Sequence, residues 1–285
     1  MDLEVKVPAT VANLGPGFDC LGAAVGIWLR VRLARSDATE IAGDGTPLPR
    51  NLIHRGWLAA HEEAGVEAPP VKIEVAEAYP SARGMGASAS AIVAGLVGAR
   101  HFSELAVTDA DLARLAIAIE GHSDNVLSAL FGGLVLSSGE GWMRFTPVET
   151  IAPVILVARE KSKTEESRLI LPAEVPRADA VANVAATAGL LGVLTGAQPP
   201  DALLVATEDR LHEPYRLPHL QETLDLHVAL RSKGVAAALA GAGPSIVCLV
   251  EGDRVTETAG LAKEIVPPGW QVLTPAWDLV GAQVR

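Results

Sequence analysis

The chain has 285 residues, of which 49% are hydrophobic and 20% charged, and its formal net charge is −11. It shows no basic stripe for a polyanion, no apolar run of about 18 residues and no basic-then-apolar secretory start, so we expect a globular cytoplasmic protein that binds neither nucleic acid nor membranes. Cys20 and Cys248 lack C-x-x-C partners and are interpreted as small core residues, which argues against a disulfide framework and a zinc site.

In the first half of the chain, predicted strands and helices surround two glycine-containing segments. Hydrophobic periodicity predicts strands at residues 3–7, 25–33, 71–75 and 131–138, and helices at residues 51–65 and 91–100. Thr108 and Asp111 form a capping box before a further helix, and Gly121 is placed to end it.

The pattern of strands and helices restarts after Pro147. Strands are predicted at residues 154–158, 235–239, 245–250 and 270–273, and helices at residues 178–194, 217–233 and 255–265. Four strands with helices to one side indicate an α+β layout. We therefore expect two domains, residues 1–150 and 151–285.

The segment P-S-A-R-G-M-G-A-S-A-S, residues 80–90, precedes a predicted helix. Gly84 and Gly86 permit backbone conformations and close approaches that a side chain would block. The next residues would open the helix with free N–H groups, which attract an anion. An acidic chain can therefore hold a phosphate group here without a lysine.

Two known loops and one structural alternative compete for this segment. The Walker pattern fails because no lysine occurs between Tyr79 and Arg100. Gly84, Gly86 and Ala89 satisfy the dinucleotide pattern, but the preceding strand alternates, unlike a buried parallel strand. The segment could also be only the start of a tightly packed helix.

Two other glycine segments lie far away in the chain. Residues 8–22 read P-A-T-V-A-N-L-G-P-G-F-D-C-L-G, and residues 240–247 read A-G-A-G-P-S-I-V between two apolar strands. The second could be a simple hairpin turn. Glycines in the first would let the main chain curl close to a small ligand and present Asn13 and Asp19 to it.

Together the three segments resemble the signature motifs of the GHMP kinases. The opening segment, E-G-H-S-D-N at 120–125 and D-R-L-H-E-P-Y-R at 209–216 are similar to the homoserine kinase family within them. The resemblance runs from Pro8 to about Ser245. It implies a two-domain α+β fold with an N-terminal mixed α/β domain that binds ATP and a C-terminal ferredoxin-like domain. It also implies a homodimer that uses ATP and Mg²⁺ to phosphorylate the side-chain hydroxyl of L-homoserine in threonine biosynthesis.

The resemblance assigns residues to the nucleotide and the metal. Those expected at the nucleotide are Asn51, Pro80, Ser81, Ala82, Arg83, Gly84, Met85, Gly86, Ala87, Ser88, Ala89 and Ser90. Ser88 and Glu120 are expected to bind Mg²⁺, and Ala87 replaces the first serine of the common family loop. Asn51 could instead be an N-cap, and Glu120 could be a solvated carboxylate at a helix end.

The same resemblance predicts a pocket for an amino acid. Arg168 and Arg216 would bind its carboxylate, because guanidinium groups pair with carboxylates in bidentate fashion. Asp19 would face the ammonium group, and Asn13 the backbone or hydroxyl end.

A short turn supplies the residues expected near the reacting hydroxyl. His122 would line the pocket, Asn125 and Asn13 would contact the acceptor, and Asp124 would be the catalytic base. Asp124 could instead order the turn through backbone amides, with the proton passing directly to the phosphate. Other functions considered are a kinase for mevalonate or a sugar, a non-catalytic sensor and a dinucleotide-dependent dehydrogenase.

Overall fold

Two sheets, each covered by helices, form the molecule. The computed structural model describes residues 2–43, 48–138, 141–161 and 164–285. The first half contains β1 Asp2–Asn13, β2 Gly17–Arg35, β3 Glu40–Ala42, α1 Leu52–Glu63, β4 Val71–Glu77, α2 Ala87–Phe102, α3 Asp109–Glu120, α4 Asp124–Phe131, β5 Leu134–Ser137 and β6 Trp142–Phe145. The second half contains β7 Ile151–Val157, α5 Thr164–Leu169, α6 Arg177–Leu194, α7 Leu203–Ala206, α8 Glu213–Arg216, α9 Gln221–Ser232, β8 Ala236–Leu239, β9 Ile246–Glu251, α10 Val255–Ile265, β10 Gln271–Leu273 and β11 Gln283–Val284.

The first sheet is built around the long hairpin of β1 and β2. Along the path β11-β1-β2-β4-β3, all neighbours pair antiparallel except β3 and β4, and β5 joins β2 to β6. The predicted strands at 3–7 and 25–33 were too short, because pairing continues to the turn at Asn13 and Gly17. Pro8 is accommodated by a register shift between Pro8 and Ala9, so β1 continues beyond it.

The second sheet has the order β10-β7-β9-β8, and all its pairs are antiparallel. With α9 and α10 as the helices that pack on the outer face of this sheet, the chain order is strand, helix, two strands, helix, strand, which is the ferredoxin-like arrangement. The predicted strands and helices of this half are present, although α9 begins at Gln221 and a short 3₁₀ turn precedes it.

The two halves share a hydrophobic core. One cluster of buried residues joins Val11 and Ala23 of the first sheet to Ile155 and Val247 of the second. The chain also returns at its end, because β11 pairs with β1. The domain boundary near residue 150 stays a prediction, and the last strand belongs to the first sheet.

Two further sequence predictions need correction. The strand predicted at 131–138 begins only at Leu134, because α4 extends to Phe131 and the positive φ angles of Gly132 and Gly133 end it. The statement that no apolar run reaches membrane-spanning length was also wrong. By length and composition alone α6 could cross a membrane, with a mean hydropathy of 1.2, yet its Asn183 side chain donates a hydrogen bond to the carbonyl of Pro16.

Helices α1 and α2 cross at glycine positions. A Cβ built on Gly95 would lie 1.9 Å from the Ile53 carbonyl oxygen, and one on Gly56 would lie 2.4 Å from that of Ile92. Backbone therefore packs directly on backbone, which explains the small residues of α2. This contact fixes the position of α2 relative to α1.

We expect Gly95→Ala to lower the free energy of unfolding by about 1–3 kcal/mol or more, because the added methyl group overpacks the helix crossing. Gly260→Ala in α10 is the matched control, since its Cβ would meet nothing within 4 Å. There the same change should be neutral or stabilising by about 0.5–1 kcal/mol. Urea unfolding measures both, and equal effects would contradict the proposed crossing.

Candidate active site

A cavity of about 620 Å³ lies between the two halves of the chain. Its lining includes the N-terminus of α2, the residues before α4, the third glycine segment and arginines from α5 and α8. Sequence-distant motifs therefore meet at one place, as the sequence predicted.

The N-terminus of α2 forms one wall of the cavity. Gly86 caps the helix with a φ of 64° and without any side-chain hydrogen bond, and Gly86, Ala87 and Ser88 line the cavity. A Cβ on Gly86 would lie 1.9 Å from Thr10 Oγ1, which itself donates to Asn125 Oδ1 at 2.7 Å. A glycine is thus required here, and the free amides of the first turn can hold an anion.

Hydroxyl groups fasten this helix end to the first sheet. Tyr79 and Ser90 are joined by a hydrogen bond of 2.6 Å between their hydroxyl oxygens, and Ser90 donates to the Pro8 carbonyl at 2.7 Å. Burial raises the pKa of the Tyr79 phenol well above its usual range, so it remains protonated and can donate to Ser90. Ser90 therefore has a structural role and is not exposed to the cavity.

The third glycine segment closes over the central loop. A Cβ on Gly84 would lie 2.0 Å from the Ala240 carbonyl oxygen, and the amide of Gly241 donates to the Ala12 carbonyl at 3.0 Å. Residues 240–245 connect β8 to β9 as a hairpin, and Gly241, Ala242 and Gly243 also line the cavity.

A chain of polar side chains runs along the adjoining wall. Ser88 Oγ donates to Glu120 Oε1 at 2.5 Å, His122 Nε2 lies 3.7 Å from the same oxygen, and His122 Nδ1 donates to Asp124 Oδ1 at 2.8 Å. The Glu120 side chain is only 9% exposed, so the alternative of a solvated helix-end carboxylate is wrong. The two predicted metal ligands are in direct contact.

The pKa of His122 is raised above its ordinary value. Burial is the largest single influence and lowers the pKa, but the hydrogen bond to Asp124 and the charges of Asp124 and Glu120 together outweigh it. This wall therefore favours a protonated imidazole between two carboxylates.

Asp124 and Asn125 open α4 at the cavity. Asp124 Oδ1 accepts from the Asn125 amide at 2.8 Å, so it orders the turn as one sequence alternative proposed. Among the residues that the structure describes, every hydrogen bond to this carboxylate ends on Oδ1. Oδ2 accepts no hydrogen bond from these residues.

The opening hairpin delivers Asn13 and Asp19, but to protein partners. Asn13 Nδ2 donates to the Gly241 carbonyl at 2.7 Å, and Asn13 Oδ1 accepts from the Asp19 amide at 3.0 Å. The Asp19 carboxylate accepts two hydrogen bonds of 2.7 Å from Arg168. The predicted ammonium-binding and carboxylate-binding residues therefore pair with each other.

Arg216 lies beside this pair and is 2% exposed. Its Nε donates to the Ser167 carbonyl at 3.2 Å, and it forms no ion pair with a carboxylate whose side chain the structure describes. Burial lowers the pKa of Arg216, although the guanidinium remains charged in proteins. A buried cation at the cavity favours an anionic ligand.

His212 fixes the position of Arg216. Its Nε2 must donate to the Gly15 carbonyl at 2.8 Å, which leaves Nδ1 to accept from Arg216 Nη1 at 3.2 Å. The ring also stacks on Phe18, with centroids 5.2 Å apart. The motif at 209–216 contained this histidine, but only the fold shows that it joins the opening turn to Arg216.

The structure brings most predicted site residues to the cavity and leaves some outside it. The lining includes Asn13, Asp19, Ser81, Ala82, Gly84, Met85, Gly86, Ala87, Ser88, Glu120, His122, Asp124, Asn125, Arg168 and Arg216. Pro80, Arg83, Ala89, Ser90 and Asn51 are not part of it. Arg83 donates instead to the Arg159 carbonyl at 2.9 Å, and Asn51 caps α1 by accepting from the His54 amide at 3.0 Å.

The apolar part of the cavity was not predicted, and Arg50, which also lines the cavity, was not predicted either. The apolar side chains are those of Leu29, Leu52, Ile53, Val75, Ala78, Tyr79 and Ala91. These residues look like ordinary core positions in the sequence. Only their adjacency to the predicted loop and to Asn51 could have indicated them.

Comparison with known proteins agrees with this geometry. The model of the GHMP kinases N terminal domain matches residues 51–133. The homoserine kinase of Streptomyces avermitilis is 40% identical over 99% of this chain and 95% of its own length, and that of Thermosynechococcus vestitus is 38% identical over 90% and 88%. The crystal structure of homoserine kinase from Cytophaga hutchinsonii has a TM-score of 0.87 at 26% identity and covers 100% of this chain and 97% of that one.

The chain therefore belongs to the GHMP kinases and, within them, to the homoserine kinase family. The predicted α+β GHMP-kinase fold is confirmed, and the protein is a phosphotransferase whose family implies ATP as the phosphate donor. The sensor and dehydrogenase alternatives find no support among these relatives.

We expect the His122 imidazole of chelator-treated protein to titrate above its ordinary pKa of about 6.5, and at lower pH in Asp124→Asn, which lacks the paired charge. Because the folded-state pKa is raised, protonation stabilises the fold below the unfolded pKa, and this contribution is lost as pH rises through the folded value. Nitrogen-detected imidazole NMR measures both midpoints. His101, whose pKa burial lowers, is the internal reference, and an unshifted His122 midpoint would contradict the polar wall.

Proposed function

We propose that this chain transfers the γ-phosphate of ATP to the side-chain hydroxyl of L-homoserine and forms O-phospho-L-homoserine for threonine biosynthesis. One observation carries the proposal. The open N-terminus of α2 lies in the same cavity as the guanidinium groups of Arg168 and Arg216 and the carboxylate of Asp19. A polyphosphate and a zwitterionic amino acid can be held there side by side.

The first turn of α2 supports the nucleotide role. The amides that follow Gly86 would hold phosphate oxygens through hydrogen bonds and the helix dipole, without a lysine. The apolar side chains that line the cavity, among them Leu29 and Ala91, offer a slot for the adenine base of the nucleotide. Arg50 also lines the cavity. The nucleotide roles of Pro80, Arg83, Ala89 and Ser90 would be to shape the loop.

Ser88 and Glu120 fit a magnesium ion. Mg²⁺ prefers oxygen ligands and takes one or two carboxylates together with phosphate oxygens. Here a hydroxyl and a nearly buried carboxylate meet at the helix N-terminus. When bound, the ion would neutralise charge on the transferred phosphoryl group.

The substrate end would recognise the amino-acid head group. Arg216, held by His212, and Arg168 would bind the carboxylate, and Asp19 would bind the ammonium group. Asn13 would support this end mainly by positioning Asp19, since both ends of its amide already contact main chain. Asn125, held by Thr10, would contact the acceptor hydroxyl.

Asp124 is the proposed base. Its Oδ1 is held by His122 and the Asn125 amide, so Oδ2 is directed by two fixed contacts and can accept the hydroxyl proton.

A cytoplasmic homodimer completes the proposal. An apolar surface supports self-association, because Val181 and Val184 of α6 are 62% and 72% exposed and Val205 is 66% exposed.

The decisive assay measures ADP release with Mg-ATP and a panel of homoserine, mevalonate, galactose and shikimate. We expect release with L-homoserine alone, loss of release with excess EDTA and recovery with added Mg²⁺. Release with another alcohol and not with homoserine would contradict the substrate assignment, and undiminished release in EDTA would contradict the metal assignment.

We expect Asp124→Asn to lower kcat about 10²–10⁴-fold with a small change in the KM for homoserine, because the variant keeps the shape and loses the proton acceptor. A decrease in kcat below about tenfold would instead indicate direct proton transfer to the phosphate.

A further inference from the structure

An ion pair between the two halves of the chain lies at the substrate end of the cavity. Asp19 lies near the start of β2 and Arg168 lies on α5, and the two residues are 149 positions apart. Two parallel hydrogen bonds of 2.7 Å join them, and their side chains are 35% and 37% exposed. A ligand in the cavity can reach both members of the pair.

The two members differ in how firmly they are held. Asp19 has a φ of 56°, and its amide donates to Asn13 Oδ1, so the short side chain has little freedom. Arg168 is bound through its Nη atoms to Asp19 alone among the described side chains, and it lies at the end of a long flexible stem. Arg168 is therefore the member that can change partner.

Arg216 makes such a change favourable for an anion. It is buried beside Arg168, since its Nε donates to the carbonyl of Ser167, the preceding residue. A carboxylate between the two guanidinium groups gains two cations. Each hydrogen bond from Arg168 Nη that the ligand carboxylate accepts is one that Asp19 loses, so Asp19 then needs another cation.

We propose that the ligand exchanges the Asp19–Arg168 ion pair for two pairs of its own, and that this exchange restricts the site to zwitterions. A ligand with only a carboxylate leaves Asp19 without a cation, and a ligand with only an ammonium group leaves Arg168 without an anion. An uncompensated charge in a partly desolvated site opposes binding. The inference deepens the proposed function and rests on it for the choice of homoserine as the zwitterion.

Two half-charged analogues of homoserine test the exchange. 4-Hydroxybutyrate lacks the ammonium group and 3-amino-1-propanol lacks the carboxylate, and both keep the hydroxyl chain. Calorimetric titration measures their dissociation constants and that of L-homoserine. In the wild-type protein, both analogues should bind at least about tenfold more weakly than homoserine, a difference of about 1.4 kcal/mol.

Removing either member of the ion pair should favour the analogue that carries the charge of the removed member. Asp19→Asn frees Arg168, so 4-hydroxybutyrate should bind at least about tenfold more tightly than to wild type, while homoserine binds more weakly. Arg168→Gln frees Asp19, so 3-amino-1-propanol should gain by a similar factor. Each variant tests the proposal alone if the other fails to fold.

Matched controls separate a contact effect from a change in net charge. Asp179→Asn and Arg210→Gln alter the same charges in an exposed pair with an N–O distance of 3.4 Å, and neither residue lines this cavity. Both should leave the affinities unchanged within about twofold, because neither side chain lines the cavity and exposed charges interact weakly in water and salt.

Unchanged analogue affinities in the folded cavity variants, or equal gains in the controls, would overturn the exchange. Absence of homoserine binding and turnover in the wild type would instead overturn the proposed function. The analogue arms remain interpretable in that case, since they need only the two charged side chains.

Discussion

The close contact between Gly84 and the Ala240 carbonyl is the constraint on which the site depends. With a Cβ at 2.0 Å from that oxygen, no other residue fits, so the central loop lies directly against the third glycine segment. The amide of Gly241 in turn bonds to β1, and the Asn13 amide group bonds to Gly241. Three segments, of which the first and third are 228 positions apart at Asn13 and Gly241, are thus joined by main-chain contacts and one side-chain amide. The N-terminus of α2 is held against the opening hairpin, because the Thr10 amide donates to the Met85 carbonyl at 3.2 Å.

This construction explains how an acidic protein can bind anionic ligands. The net charge of −11 would repel a polyphosphate at long range. Locally the helix amides and two arginines supply positive potential, and the carboxylates of Glu120, Asp124 and Asp19 are each paired with a hydroxyl, an imidazole or a guanidinium group. Anion binding therefore depends on a few fixed dipoles and charges.

Elements with strong local signals were predictable. Helix α10 spans residues 255–265 as its periodicity predicted, and the capping box of Thr108 and Asp111 is formed. Predictions failed where tertiary contacts override local patterns. The opening segment was expected to curl, but pairing of β1 with β2 keeps it extended on both sides of the turn at residues 14–16. Phe131 was predicted in a strand but is the last residue of α4.

The fold class, the three glycine segments and the kinds of charged group at the site follow from the amino-acid sequence alone. Those features depend on short-range chemistry: which residues tolerate positive φ, which cap a helix and which carry a guanidinium group. Only the tertiary structure decided that Asp19 pairs with Arg168, that His212 holds Arg216 and that Arg83 points away to Arg159. Asp19 and Arg168 are 149 positions apart, and Arg83 and Arg159 are 76 positions apart, so these contacts depend on how separate elements pack. His212 and Arg216 are only four positions apart, but the His212 ring is fixed by its contact with the Gly15 carbonyl, 197 positions away. Such partners are set by the three-dimensional arrangement of the backbone.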